Sequence, residues 1–167
     1  LDATVSVNAL CRVLDFTRLS TSAQSYSLTV SNVTGSIVAP AALGSSAAIA
    51  LLVATGIQGV IAQDFNVRYT VYNASATSYG VYIKNSARGA TAAANRPIVR
   101  RNTIVANAPT QYCFSIGDTT TAYDVDHGLV YANTITVPYY ASDTPHCIAI
   151  GNVTGGLAYG NTTYGGY

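Results

Sequence analysis

The sequence predicts an all-β protein, a right-handed parallel β-helix (a solenoid) of about five coils. A first phrase occurs as IVRRNTIVAN at 98–107, LVYANTITV at 129–137 and LAYGNTTYGG at 157–166. A second phrase alternates with it, as YCFSIGD at 112–118 and HCIAIGN at 146–152. Both phrases consist of strand-forming residues bounded by Asn and Gly, and each recurs at about 30 residues. Such a period suits three strands per coil.

Composition excludes several classes of protein. The 167 residues suit one domain or part of a longer solenoid, and the 9% of charged residues lies far below the usual share. The 49% of hydrophobic residues argues against disorder. A net charge of +1 gives no footprint for nucleic acid, and the most apolar run, at 47–54, is too short to span a membrane.

The chain divides into residues 1–25, an irregular first coil or cap, and residues 26–167, the β-helix. Two strands are expected at 3–7 and 11–16, and the stretch 26–40 holds two more around a turn. The run AIALLVATG at 48–56 predicts the next strand, because nearby glycines and its β-branched residues oppose a helix. Position 1 is Leu, so we expect a processed chain or a piece of a longer one.

Turns and insertions complete the repeat. First-phrase turns are expected at Asn32, Asp64, Asn102, Asn133 and Asn161, and second-phrase turns at Thr55, Asn85, Asp118 and Asn152. Asn tolerates a left-handed backbone and can hydrogen-bond the next Asn along the stack. The unequal segments 74–78, 86–96, 108–111, 119–126 and 138–145 are expected to be surface loops of the solenoid.

Aligning the phrases predicts which side chains stack inside. One interior column comprises Leu51, Val81, Phe114 and Ile148, a second Val53, Ile83, Ile116 and Ile150, and a third Val60, Ile98, Leu129 and Leu157. The other fold with many short strands is an antiparallel β-sandwich, which would not explain columns in phase. Because the last coil stops halfway round at Tyr167, we expect a homo-oligomer, in particular a trimer, or a continuing chain.

Two phrases carry a resemblance to a known superfamily. HGLVYANTI at 127–135 and CIAIGN at 147–152 resemble the polygalacturonase phrases built on HGLSIG and DDCIAI. The chain thus resembles the pectate-lyase-like right-handed β-helix superfamily, which also includes phage tailspikes. Pro145 and His146 replace the paired aspartates before CIAI, and the two phrases occur in the opposite order. The resemblance therefore implies the fold and a polysaccharide-binding surface, and not the active site.

The densest polar cluster is DTTTAYDVDHG at 118–128. Its Asp124, Asp126 and His127 are candidate catalytic residues, because paired carboxylates can perform acid–base work on a glycosidic bond. The alternative is a solvated, Asp-rich turn.

A second polar loop, PYYASDTPH at 138–146, is expected beside the first. Tyrosines with Asp and His nearby offer sugar rings an apolar face and a polar rim. The candidate glycan-binding residues are Tyr123, Tyr139, Tyr140, Asp143 and His146. Ordinary surface tyrosines are the alternative. No metal site or cofactor is expected, since Cys11, Cys113 and Cys147 show no ligand spacing.

Two further columns follow from the alignment. Arg100, Tyr131 and Tyr159 stack as a ladder, either at a binding groove or as a structural cover. Cys113 and Cys147 stack on the outward side as free thiols, because adjacent parallel strands are a poor geometry for a disulfide.

These observations favour a glycan-binding spike or fibre module, most like a phage tailspike, on a virion or outside the cell. Its partner would be a cell-surface polysaccharide. An extracellular polysaccharide lyase or hydrolase that uses the loop at 118–127 is the second hypothesis. A structural module of a filament or surface layer is the third.

Overall fold

In a computed structural model, parallel strands wind into stacked coils. The structure describes residues 2–6, 11–17, 27–39, 48–57, 59–71, 77–84, 96–106, 111–117, 125–126, 128–137, 146–150 and 153–165. Sheet A contains β1 (Asp2–Ser6), β4 (Thr34–Ala39), β7 (Asn66–Val71), β10 (Thr103–Ala106), β14 (Thr134–Thr136) and β18 (Thr162–Tyr164). Sheet B contains β2 (Cys11–Thr17), β5 (Ala48–Thr55), β8 (Thr77–Lys84), β11 (Gln111–Ile116) and β15 (His146–Ile150). Sheet C contains β3 (Leu28–Ser31), β6 (Val60–Gln63), β9 (Ile98–Arg100), β13 (Leu129–Tyr131) and β17 (Leu157–Tyr159). The short strands β12 (Val125–Asp126) and β16 (Val153–Thr154) pair with each other.

The order of the strands confirms the predicted fold. The chain passes through sheets A, B and C in turn, and each strand pairs with its counterpart one coil away. All of the described pairs are parallel, which excludes the antiparallel sandwich. The protein is a right-handed parallel β-helix of about five coils. Strands β1 and β2 pair with β4 and β5, so they build the first coil.

In sheet B, the first residue of each predicted interior column is wrong by one position. Val81, Phe114 and Ile148 stack as expected, but they stand in register with Leu52, not Leu51. Ile83, Ile116 and Ile150 likewise stand in register with Ala54, not Val53. The run AIALLVAT is apolar at every position before its final Thr, so hydrophobic pattern alone could not determine its phase. Leu51 and Val53 are buried as well.

A break in the sheet-B ladder brings the cysteines inward. The register pairs Tyr112 with His146 and next Phe114 with Ile148, so it skips Cys113 and Cys147. At such a break, strict alternation fails and two successive side chains can face the same side. Cys113 and Cys147 are 2% and 3% exposed and belong to the hydrophobic core. The prediction that they face outward is therefore wrong.

Gly80 occupies the same skipped position one coil earlier. A Cβ atom there would press on the backbone oxygen of Cys113 and lie 2.6 Å from Cδ1 of Ile104. Since a backbone oxygen cannot move aside without disturbing the ladder, only Gly fits. Sheets A and B are thus in direct contact across the interior at Gly80 and Ile104.

Sheet C corrects the third column. The inward residues are Val30, Ala62, Val99 and Val130, of which the last three are fully buried. Ile98 pairs with Ile61, not with Val60, and the column formed by Ile61, Ile98, Leu129 and Leu157 faces outward. The predicted inner column of Val60, Ile98, Leu129 and Leu157 is therefore wrong. Both faces of these short strands carry aliphatic residues, so an aliphatic residue by itself does not show which face lies inside.

The turn from sheet C to sheet A contains a buried asparagine ladder. The Oδ1 atom of Asn133 accepts hydrogen bonds from the backbone N–H of Asn102 at 3.0 Å and from its Nδ2 at 2.9 Å. The Oδ1 atom of Asn161 accepts the same two bonds from Asn133, at 3.1 and 2.9 Å. Each side-chain amide also donates to a carbonyl oxygen in the preceding coil, as from Asn133 to Val99. The predicted bonding along the stack is confirmed.

The left-handed residues of this turn lie one position earlier than expected in three of the five coils. They are Asn32, Asp64, Arg101, Ala132 and Gly160, with φ of 56°, 60°, 54°, 55° and 60°. Asn102, Asn133 and Asn161 each follow the left-handed residue of their turn, whereas Asn32 and Asp64 are themselves left-handed. The predicted series of five turn residues therefore combined two different positions of the turn. Phe65 stands at the ladder position one coil before Asn102, and its N–H donates to Oδ1 of Asn102 at 2.9 Å.

Candidate functional site

Two of the eight predicted site residues lie in the described part of the chain. Asp126 ends β12, where its backbone pairs with Thr154 of β16. His146 begins β15, where its backbone pairs with Tyr112 of β11. The other six are outside the described residues; they are Tyr123, Asp124, His127, Tyr139, Tyr140 and Asp143. The assignment of all eight to one site stays a prediction.

The strand order shows which corners the two polar segments connect. Residues 118–124 join β11 of sheet B to β12, whereas residues 138–145 join β14 of sheet A to β15 of sheet B. The two segments therefore connect different pairs of sheets and are not equivalent in successive coils. Since β11 and β15 are parallel neighbours, one segment leaves the end of this pair and the other enters its start. Their points of attachment to this strand pair are therefore about 16 Å apart, at its opposite ends.

The outer face of sheet B lies between those two ends. Val53, Tyr82 and Ala149 alternate with the interior residues and belong to this face. Tyr82 and Ala149 are partly exposed. Val53 is buried, so Tyr82 and Ala149 are the two of these residues that reach the surface.

A hydrogen-bonded ladder covers the outer face of sheet C. The register places Gln63, Arg100, Tyr131 and Tyr159 in one column, which confirms the predicted stacking of the last three. Nε of Arg100 donates to Oε1 of Gln63 at 2.8 Å, and Nη1 donates to the hydroxyl of Tyr131 at 2.9 Å. The rings of Tyr131 and Tyr159 are parallel within 1°, with centroids 5.0 Å apart. Sequence reasoning missed Gln63, whose position relative to Arg100 depended on the register.

Beside the ladder, two residues earlier in each strand, runs the outward aliphatic column of sheet C. Ile61, Ile98 and Leu129 are partly exposed, and Leu157 is 52% exposed. The two columns share one face because side chains two apart in a strand point the same way. We call these eight residues the sheet-C face.

An ion pair lies at the edge of the sheet-C face, in the left-handed turns. Nε and Nη2 of Arg101 donate to the two carboxylate oxygens of Asp64, both at 2.8 Å. These hydrogen bonds hold the pKa of the Asp64 carboxyl below its usual value and raise the pKa of Arg101. The pair is exposed, so its role is to link two coils rather than to contribute much stability.

Cys113 and Cys147 are free thiols in the hydrophobic interior. Burial raises the pKa of Cys113 far above its usual value, with a smaller contribution from Cys147, and burial also raises the pKa of Cys147. A thiol held neutral in this way is a poor nucleophile and a poor metal ligand. Within the described ranges, no three His, Cys, Asp or Glu side chains group as metal ligands, and no helix is long and apolar enough to cross a membrane.

No known protein family matches this chain, and neither a curated protein nor a solved structure matches it. What is shown is the architecture: parallel strands stacked in register as a β-helix.

Proposed function

We propose that this chain is a glycan-binding module of a spike or fibre, exposed outside the cell or on a virion and related to the tailspikes of the pectate-lyase-like superfamily. In this proposal it binds a cell-surface polysaccharide and acts as part of a homo-oligomer or a longer chain. The β-helix suits such a role, because its stacked sheets form a rigid support from which loops can contact a ligand.

The observation that carries the proposal is where the chain joins the two polar segments to sheet B. Residues 118–124 follow β11 and residues 138–145 precede β15, so the chain joins them to this strand pair at opposite ends. The outer face of the sheet carries Tyr82 and Ala149, both partly exposed. Tyr123, Tyr139 and Tyr140 belong to these segments, and an aromatic ring packs well against the apolar face of a sugar. A sugar chain lying on sheet B could therefore contact both segments.

The binding proposal is tested by retention of the protein on an immobilised cell-surface polysaccharide. Tyr139→Ala and Tyr140→Ala should each lower retention at least about fivefold, because truncating a tyrosine that is a binding hot spot removes more than about 1 kcal/mol. Tyr164→Ala is the matched control, since Tyr164 is 59% exposed on sheet A. Retention that is equally strong in all three variants would remove this face from consideration and favour the purely structural hypothesis.

A catalytic version of the same site is the second candidate, because Asp126 ends β12, the strand that follows the polar segment leaving β11. Asp124, Asp126 and His127 would then act on the bound polysaccharide. Asp124→Asn and Asp126→Asn should abolish release of products while retention stays largely intact. If the unmodified chain is retained but releases no products, the catalytic hypothesis is rejected and the binding hypothesis remains.

A further inference from the structure

The sheet-C face is complementary to the same face of a second copy turned end to end. Along the axis its ladder runs from Gln63 through Arg100 and Tyr131 to Tyr159. When a second copy faces the first with its ladder in the opposite order, each phenol of one copy lies opposite an amide or a guanidinium of the other. Both pairings can form hydrogen bonds, because a phenol hydroxyl both donates and accepts. The neighbouring column is aliphatic at every position, so its reversal sets aliphatic side chains opposite each other.

We propose that two copies of this chain associate through their sheet-C faces, with their helix axes antiparallel. The two-fold axis would lie parallel to the strands of sheet C and pass between β9 and β13. Arg100 of each copy would then lie opposite Tyr131 of the other, and Gln63 opposite Tyr159. An isologous contact of this kind closes on itself as a dimer. The proposal uses a different sheet from the glycan site and does not depend on it.

The ladder is already ordered for such a contact. The side chains of Gln63, Arg100 and Tyr131 are held by hydrogen bonds of 2.8 and 2.9 Å between adjacent coils. Side chains that are fixed before association lose less entropy when they are buried. A guanidinium has five N–H donors, and these two bonds use two of them, so it can also donate to a phenol opposite. Tyr and Arg are the residue types that contribute most to protein interfaces.

The edge of the face opposes no like charges in this arrangement. Asp64 and Arg101 occupy the turn column beside the ladder and neutralise each other through two hydrogen bonds. Reversal sets this pair opposite Gly160 and Ala132, which occupy the same column in the later coils. The two-fold pair therefore needs no buried, unpaired carboxylate.

The aliphatic column argues for a second copy over a sugar as the occupant. It gives the face an apolar side chain in each of four successive coils. A second copy repeats at the same strand spacing of about 4.8 Å, so it can match the column coil for coil. Four coils span about 14 Å, so the sheet-C face is smaller than an interface of standard size and forms only its centre. A reversible association that depends on protein concentration is therefore expected.

Sedimentation of the full chain over a range of concentrations tests the contact. We expect a monomer–dimer equilibrium, and Leu129→Lys should raise its Kd at least about tenfold, because it places a charge in the centre of the apolar column. The matched control is Thr103→Lys, since Thr103 is exposed on the outer face of sheet A. It should leave the Kd unchanged. Circular dichroism checks that both variants keep the fold.

Cross-linking tests the antiparallel orientation. In a Cys11→Ser background, chains carrying Gln63→Cys are mixed with chains carrying Tyr159→Cys, and a short bifunctional maleimide is added. Cross-linked dimers should form in the mixture and not with either variant alone, since Gln63 lies opposite Tyr159 and about 14 Å along the axis from its own counterpart. A monomer at every concentration, a trimer, a dimer unaffected by Leu129→Lys, or cross-linking of one variant alone would overturn the proposal.

Discussion

At the scale of single residues, the position of the two cysteines decides their chemistry. Cys113 and Cys147 lie where the sheet-B ladder skips a pair, and both side chains pack in the core. Removal from water disfavours the thiolate, so burial raises the pKa of both thiols. The same residues on the outer face would have been reactive surface thiols.

The buried thiols predict alkaline destabilisation. Above about pH 9 the thiols of the unfolded chain lose their protons, whereas those of the folded chain keep them. The unfolded state then binds fewer protons, so the free energy of unfolding falls as pH rises from that point towards the folded pKa. The variant with both Cys113→Ala and Cys147→Ala should show a shallower fall between pH 8 and 10.5, measured by urea denaturation.

The difference between the two chains isolates the thiols, because every other titrating group is shared. The folded chain should also leave Cys113 unmodified by a thiol reagent at pH 8 until urea unfolds it. Equal slopes in both chains, or rapid labelling of Cys113 in the folded chain, would show that this thiol is accessible to water.

At the scale of elements, the turn between sheets C and A acts as a bonded column. Three asparagines in successive coils satisfy their own amides, the backbone N–H of the preceding coil and a carbonyl oxygen. Asn102 and Asn133 are each 1% exposed, so water cannot replace these bonds. A polar residue that both donates and accepts is therefore needed at these two buried positions of the turn.

Removing one member of the asparagine ladder should destabilise the protein strongly. Asn133→Ala would leave the N–H of Asn102 and the carbonyl of Val99 without their bonds from this side chain. Each buried polar group left unpaired costs about 1–3 kcal/mol, so we expect a loss of about 2–4 kcal/mol in urea denaturation. Asn66→Ala is the control, since Asn66 is exposed and its backbone bond to Val33 remains; its effect should stay within about 0.5 kcal/mol. Equal effects of the two changes would contradict the structural role of the ladder.

At the scale of the whole molecule, each coil is stabilised by the coils next to it. Strands pair with their counterparts one coil away, and the interior columns run from coil to coil. Stability in such a solenoid is close to a sum of neighbour terms and so varies along the axis. Strands β9 and β13 are paired on both sides, whereas β17 and β18 are paired on one side and all their residues are exposed.

Hydrogen exchange should reveal this gradient. Amides of β9 and β13 should exchange at least about tenfold more slowly than those of β17 and β18, because local opening at an edge needs far less free energy than opening in the middle. Exchange followed by mass spectrometry of peptic fragments measures both regions in one experiment. Uniform protection along the axis would mean that the chain unfolds as one cooperative unit.

The sequence alone determined the architecture of this protein. Two phrases that recur at about 30 residues, with strand-forming residues and Asn at the turns, require stacked parallel strands, because like residues then fall on top of each other. The stacking of Arg100, Tyr131 and Tyr159 and the bonding between asparagines followed from the same alignment. For the candidate glycan site, the sequence supplied residue types and two loops, and six of its eight residues lie outside the described part of the chain.

The tertiary structure decided the phase of each strand and the direction of each side chain. In AIALLVAT and in the sheet-C strands, apolar residues occupy both faces, so hydrophobicity could not distinguish Leu51 from Leu52 or Val60 from Ile61. Backbone pairing made that choice. Cys113 faces inward because the sheet-B ladder skips its pair, and the chain joins the two polar segments to sheet B at opposite ends of its strands. These features depend on contacts between coils, which a pattern read along one strand does not contain.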